Sequence, residues 1–157
     1  MGVQGMASQA SVRPLTADDL EAVVDIDRKH SGQTRRTFYS RRLESALKNP
    51  KDFIYVGVCE DDALRGFAMA RVLGGEFGQE NAASLDAIGV DTDYLARGFG
   101  KALMSGLEDV MRQKGIGELH TQIEWTDTAQ LRFLDRAGFL HSSSIVLERD
   151  ASPFEEE

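Results

Sequence analysis

The residues best suited to chemistry are Gly98 and Gly100, in the run Tyr94-Leu95-Ala96-Arg97-Gly98-Phe99-Gly100-Lys101. An apolar stretch, Leu85-Asp86-Ala87-Ile88-Gly89-Val90, precedes the run and reads as a strand. Leu103, Met104, Leu107, Val110 and Met111 follow it at helical spacing. A glycine-bearing loop therefore joins a strand to the first turn of a helix. The first N–H groups of a helix have no intrahelical acceptor, and the helix dipole makes that end positive. Together they suit an anion, phosphate best of all. Glycine lets the backbone approach such a ligand because no Cβ intervenes. Arg97 and Lys101 either add charge attraction there or stay solvated. A strand–helix turn that binds nothing uses the same residues, so the flanking sequence has to discriminate.

Three phosphate-binding patterns compete. The dinucleotide fingerprint needs a third glycine where this chain has Leu103. The P-loop needs Ser or Thr after Gly-Lys, and Gly100-Lys101 is followed by Ala102, which has no hydroxyl for Mg²⁺. The stretch Leu95-Ala96-Arg97-Gly98-Phe99-Gly100 resembles the third, the Gln/Arg-x-x-Gly-x-Gly/Ala signature of the GNAT (GCN5-related N-acetyltransferase) superfamily. Leu95 departs from it at the first position. A second stretch, from Asp127 to Phe139, resembles the family pattern Asn-x-x-Ala-x-x-x-Tyr-x-x-x-Gly-Phe. Gly138 and Phe139 match it, while Asp127, Gln130 and Leu134 replace its Asn, Ala and Tyr.

The elements that must position these motifs can be read in order. Val12–Leu15 reads as a first strand. Thr16 is an N-cap ahead of Asp18 and Asp19, for a helix reaching about His30. A second helix over 37–47 carries Phe38, Leu43, Ala46 and Leu47 as its apolar stripe, with Arg35, Arg36, Arg41 and Arg42 around it. Phe53–Cys59 and Leu64–Val72 form a hairpin about Glu60-Asp61-Asp62-Ala63. A glycine-rich loop over 74–81 leads to the key strand, 83–90, and the key helix, about 98–114, with Gly115 as its C′ residue. Leu119–Trp125 reads as a strand, 128–136 as a helix capped by Asp127, and 144–147 as a last strand. This element order is similar to that of the GNAT superfamily over about residues 11–149. It implies an α/β (α+β) fold with a central, mostly antiparallel mixed sheet flanked by helices. Residues 1–9 read as a disordered lead, 10–150 as a single domain and 151–157 as an acidic tail.

The resemblance implies acetyl transfer from acetyl-CoA to an amine. Main-chain groups of Ile88 and Val90 would pair with the pantetheine arm. Leu95, Ala96, Arg97, Gly98, Phe99, Gly100 and Lys101 would hold the pyrophosphate, and Asp127 stands at the position of another family contact. Asp86 is the first candidate base, on the alternation that places it with Ile88 and Val90, or else a solvent-facing carboxylate. Glu124 is the second, and His120 shares its side. The family's tyrosine proton donor is absent at Leu134, which leaves Tyr94, Tyr39 or water. A non-catalytic acyl-CoA sensor on the same fold is the alternative.

Composition narrows the partners. The chain has 157 residues, 41% of them hydrophobic and 28% charged, with a formal net charge of −8. Nucleic acid demands a basic footprint, so it is not an expected partner. A small-molecule or peptide amine is. The lone Cys59 permits no internal disulfide and points to a cytoplasmic setting. No run is long and apolar enough for a membrane span, no signal peptide is expected, and no metal is expected. Oligomeric state is open, a homodimer included.

Overall fold

The computed structural model describes residues 10–152. The 1–9 lead falls outside that range, as does most of the acidic tail. The chain divides into two compact units, one up to Glu124 and one from Trp125.

The first unit holds a five-stranded sheet in the order β1-β2-β3-β4-β5. The strands are β1 (Ser11–Pro14), β2 (Phe53–Glu60), β3 (Ala63–Val72), β4 (Ala82–Val90) and β5 (Glu118–Thr121). Neighbours are antiparallel except β4 and β5, which run parallel. That pair needs a crossover, supplied by α3 (Phe99–Gln113). The β2–β3 turn puts Asp61 at φ 52° and Asp62 at φ 64°. Two left-handed central residues match the twist of a hairpin, and Asp tolerates that region better than most residues.

Helices cover both faces of β2 and β3, which is why these antiparallel strands are buried almost throughout. On one face lie α1 (Leu20–Ser31) and α2 (Arg36–Lys48). Val23, Val24 and Ile26 of α1 meet Tyr39 and Leu43 of α2, with Tyr55, Cys59, Phe67 and Met69 of the sheet beneath them. Cys59 is thus core filler. On the other face α3 buries Phe99, Leu103, Met104, Leu107 and Met111. It packs closely: a Cβ on Gly106 would come within 2.5 Å of Val12.

Two expectations change here. The α2 stripe includes Tyr39, fully buried, whereas Leu47 is exposed. The hydroxyl explains why a tyrosine can sit inside. It donates to Asp27 at 3.0 Å, and Asp27 also accepts from Arg35 Nε at 2.9 Å and a second Arg35 nitrogen at 2.6 Å. The strand expected over 119–125 is confined to Glu118–Thr121.

In the second unit Asp127 caps α4 (Thr128–Arg136) by accepting from the Gln130 N–H at 3.1 Å. Gly138, at φ 91°, closes it with paired bonds from Gly138 N–H to Asp135 O and Phe139 N–H to Leu134 O. The last strand expected over 144–147 does not form; Ile145, Val146 and Leu147 are exposed and irregular.

Burial opposes the Asp27 charge, but hydrogen bonds from Arg35 and Tyr39 outweigh it and hold the carboxyl below the usual range. A depressed folded value adds stability above the unfolded carboxylate range, near pH ~4, that is lost as pH falls through the folded value. Asp27→Asn should therefore cost about 1–3 kcal/mol in urea melts at pH 7. The gap to wild type should narrow on acidification below pH ~4. A gap that stays constant down to acid unfolding would refute this ion pair's role.

Candidate active site

The loop after β4 is pinned from several sides. Asp91 accepts from the Asp93 N–H at 3.0 Å and opens a short 3-10 turn, Thr92–Tyr94. Lys29 of α1 binds Asp91 at 2.9 Å and Asp93 at 3.0 Å. The next residue, His30, places Nε2 2.5 Å from the Val90 carbonyl. Further on, Arg97 pairs with Glu60 at 2.9 Å, and the Arg65 guanidinium stacks 3.8 Å from the Tyr94 ring centre. Arg97 therefore braces the loop against the hairpin; Lys101 is exposed and has no carboxylate partner among the described residues.

Gly98 is the N-cap of α3 at φ 82°, a left-handed conformation that costs other residues about 1–2 kcal/mol. The first helical bond runs from Ala102 N–H to Gly98 O. The N–H groups of Phe99, Gly100 and Lys101 make no bond to main-chain acceptors outside the helix among the described residues, and one helical turn is too short to supply them. The Phe99 side chain turns into the core, so only its amide serves the loop. Leu95 and Ala96 are exposed, Ala96 at φ 61°.

Strand β4 leads straight into this cradle, and its outer edge is open. Pairing with β5 covers only Ala82–Leu85, and Thr121 Oγ1 donates to the Leu85 carbonyl at 2.9 Å where the strands part. Beyond Leu85 that edge has no partner strand among the described residues. On the inner edge, Asp91 N–H donates to Arg65 O. In an antiparallel ladder bonded and non-bonded pairs alternate, so Val90 opposite Gly66 and Ile88 opposite Ala68 turn their main-chain groups outward. The Val90 carbonyl is taken by His30; the Ile88 groups and the Val90 N–H remain.

Asp86 is where simple alternation fails. Leu85 pairs with Ala70 and Ala87 with Met69, so Asp86 is an extra residue, a β-bulge. The bulge moves its side chain away from the face of Ile88 and Val90 to that of Ser84 and Arg71. Arg71 Nε donates to Asp86 Oδ2 at 3.0 Å and Ser84 Oγ to Oδ1 at 3.0 Å. The residue is exposed although its side chain is only 19% accessible, so much of its open surface is main chain. Glu124 lies past the end of β5 and is exposed. His120 Nε2 sits 3.0 Å from Glu118. Asp127 is occupied as the α4 cap. Of the named proton donors, Tyr39 is committed to Asp27. No group of metal-binding side chains occurs among the described residues. A hollow of ≈ 300 Å³ lined by Phe53, Tyr55, Leu43 and Val110 lies at the far end of the strands from the glycine loop.

If the open first turn of α3 holds the pyrophosphate, Gly98→Glu should abolish acetyl-CoA binding, because it sets a carboxylate and a strained φ at the cradle's rim. Calorimetry should read the loss while the thermal melt stays cooperative. Undiminished affinity would remove the assignment.

Comparison with known proteins gives the same picture. The model of the Acetyltransferase (GNAT) family matches residues 20–139. A mycothiol acetyltransferase of Clavibacter sepedonicus is 27% identical over 96% of this chain, and the chain spans 49% of that protein. A spermidine N(1)-acetyltransferase of Thermoplasma acidophilum is 23% identical over 82% of the chain and 86% of its own length. Among solved structures, the PaiA N-acetyltransferase of Thermoplasma acidophilum in complex with coenzyme A superposes with a TM-score of 0.72 at 19% identity, over 87% of this chain and 93% of that one. An aminoglycoside N-acetyltransferase in complex with CoA gives 0.77 at 17% identity, over 94% and 98%. The chain thus spans about half the length of the mycothiol acetyltransferases it matches. With a family model over most of its length and this strand–loop–helix geometry, the chain belongs to the GNAT acetyltransferase family.

Proposed function

We propose that this chain moves an acetyl group from acetyl-CoA to a primary amine by direct transfer. The observation that carries the reading is the unpartnered edge of β4 running into the open first turn of α3. An extended pantetheine arm would add to that edge at Ile88 and Val90, as a strand adds to a sheet. The pyrophosphate would then reach the amides of Phe99, Gly100 and Lys101. CoA complexes among solved structures of the same fold support acetyl-CoA as the donor.

In the reaction the amine nitrogen attacks the thioester carbonyl. A C–N bond forms, the C–S bond breaks, the sulfur departs as thiolate, and the ammonium nitrogen loses two protons in all, one before attack and one after it, the second passing to solvent. The exposed main chain at the Asp86 bulge offers fixed dipoles to the developing oxyanion, which cost no reorganisation. An alkyl ammonium has a pKa near ~10.4, so its proton needs an acceptor at neutral pH. We take the Asp86 carboxylate as that acceptor. Arg71 and Ser84 occupy one site on each oxygen, and each oxygen keeps a further lone pair. Glu124 is the second candidate. The thiolate, with a thiol pKa near ~8.5, can leave without a dedicated acid.

The acceptor is an amine in the relatives' own names: spermidine in one, a ribosomal-protein alanine in another. A non-catalytic acyl-CoA sensor is the second reading, favoured by Leu134 at the family's tyrosine position.

Thiol release from acetyl-CoA across a panel of amines separates the two; a sensor binds without releasing thiol. Asp86→Asn should lower the rate about 10²–10⁴-fold while acetyl-CoA affinity persists. That loss should shrink as pH approaches the amine's own pKa. Wild-type rates in the variant across pH 6 to 9 would discard Asp86 and make Glu124→Gln the next variant to measure.

A further inference from the structure

The α1–α2 face of the sheet carries charged and hydroxyl groups beyond the glycine loop. Arg41 and Arg42 of α2 line a surface hollow of ≈ 470 Å³ with Phe38 and Ser45. The Arg42 guanidinium lies 5.1 Å from the Phe38 ring centre. Their neighbours Arg35 and Arg36 are paired with Asp27 and Glu21. Among the described residues Arg41 and Arg42 have no carboxylate partner, in a chain with 26 acidic residues against 18 Lys and Arg.

Tyr55 is an independent observation. It is 8% exposed, and its hydroxyl has no hydrogen-bond partner among the described residues, yet it is not sealed from solvent. Burial pushes the phenol up to about 12, and it feels the charges of Arg42, Asp86 and Arg71 together. The register carries the same face from Tyr55 to Met69 and on to Ala87, next to the bulged Asp86. Phe38, on which Arg42 stacks, packs against the same core cluster as Tyr55 and Ala87, so one face joins the free Arg42, an unused hydroxyl and the carboxylate beside the open edge.

We propose that this face is the acceptor subsite and that it selects an amine whose own chain carries an anionic group, carboxylate or phosphate. Arg42, with Arg41, holds the anion, the amine sits at Asp86, and the Tyr55 hydroxyl bonds between them. A guanidinium binds such anions through charge-assisted, often bidentate bonds. A polycation would instead meet like charge at the α2 end, which selects against it. The proposal rests on the acetyl-transfer reading above and adds a substrate class to it.

The test compares ω-amino acids, from β-alanine to 6-aminohexanoate, with diamines of the same chain length in the thiol-release assay. The amino acids should be favoured at least about tenfold in kcat/KM, the size of one good charge-assisted contact. Arg42→Gln should erase most of that preference, raising KM for the amino acids and easing use of the diamines, while acetyl-CoA affinity persists. Phosphoethanolamine against β-alanine tells which anion fits better. Diamines used as well as the amino acids, or a preference unmoved in Arg42→Gln, overturns the proposal. If no acceptor releases thiol, the transferase reading has failed, and calorimetry of the same amino acids on the CoA-saturated protein decides the subsite. Binding that Arg42→Gln removes upholds it; no binding overturns it.

Discussion

The parting of β4 from β5 after Leu85 is the constraint on which the site depends. A strand inside a sheet normally spends its main-chain groups on both neighbours, and an edge strand leaves one row unspent. Here a strand holds both conditions in succession. Up to Leu85 it is central, bonded to β3 and β5; from Asp86 to Val90 it stays bonded to β3 and is open on the other side. The parallel crossover through α3 brings β5 alongside the start of β4, and β5 is only four residues long. The bulge at Asp86 sits at the point of separation, and the added local twist of a bulge suits a strand that must turn away from its neighbour.

An open edge is useful only if the backbone beyond it is rigid. Ion pairs from buried acids supply that rigidity at the end of β4. Asp91, 6% exposed, caps its own turn and holds Lys29, while Glu60, also 6% exposed, holds Arg97. Each pair joins a buried acid to a partly exposed base. Their placement fixes loop geometry: α1 is tied to the start of the loop and the β2–β3 hairpin to its end. The cradle of amides is thus held by elements that are themselves anchored in the core, through Val24 and Ile26 on one side and Leu64 on the other.

Much of this was legible in the sequence because it is local. The glycine loop, the Asp-Asp hairpin turn, and Gly115 and Gly138 as helix stops each follow from the conformation one or two residues must adopt. Gly115, at φ 72°, ends α3 with the same paired bonds that Gly138 gives α4. What escaped was non-local. Alternation put Asp86 with Ile88 and Val90, and only the pairing with β3 reveals the extra residue. Tyr39 read as an available proton donor, because nothing in its neighbourhood of sequence announces Asp27, twelve residues earlier, as its partner. The 144–147 run has strand composition, but β-propensity describes a fit to a neighbouring surface and does not create one.

The allocation of charge across the α1–α2 face bears on how an acceptor could be oriented. Asp27 takes Arg35, Glu21 takes Arg36 and Asp86 takes Arg71, so each of these arginines is paired with a specific carboxylate. Each pair joins two elements: α1 to α2 in two cases and β3 to β4 in the third. Among the described residues Arg41 and Arg42 pair with no carboxylate. In a molecule whose other carboxylates are plentiful, an unpaired guanidinium beside an aromatic ring is held in place by packing while its donors stay unspent. A surface built this way offers free donors at α2 and free carboxylate lone pairs at the bulge. A ligand with one charge of each sign can satisfy both ends in only one direction, and that direction points its amine at the open edge of β4.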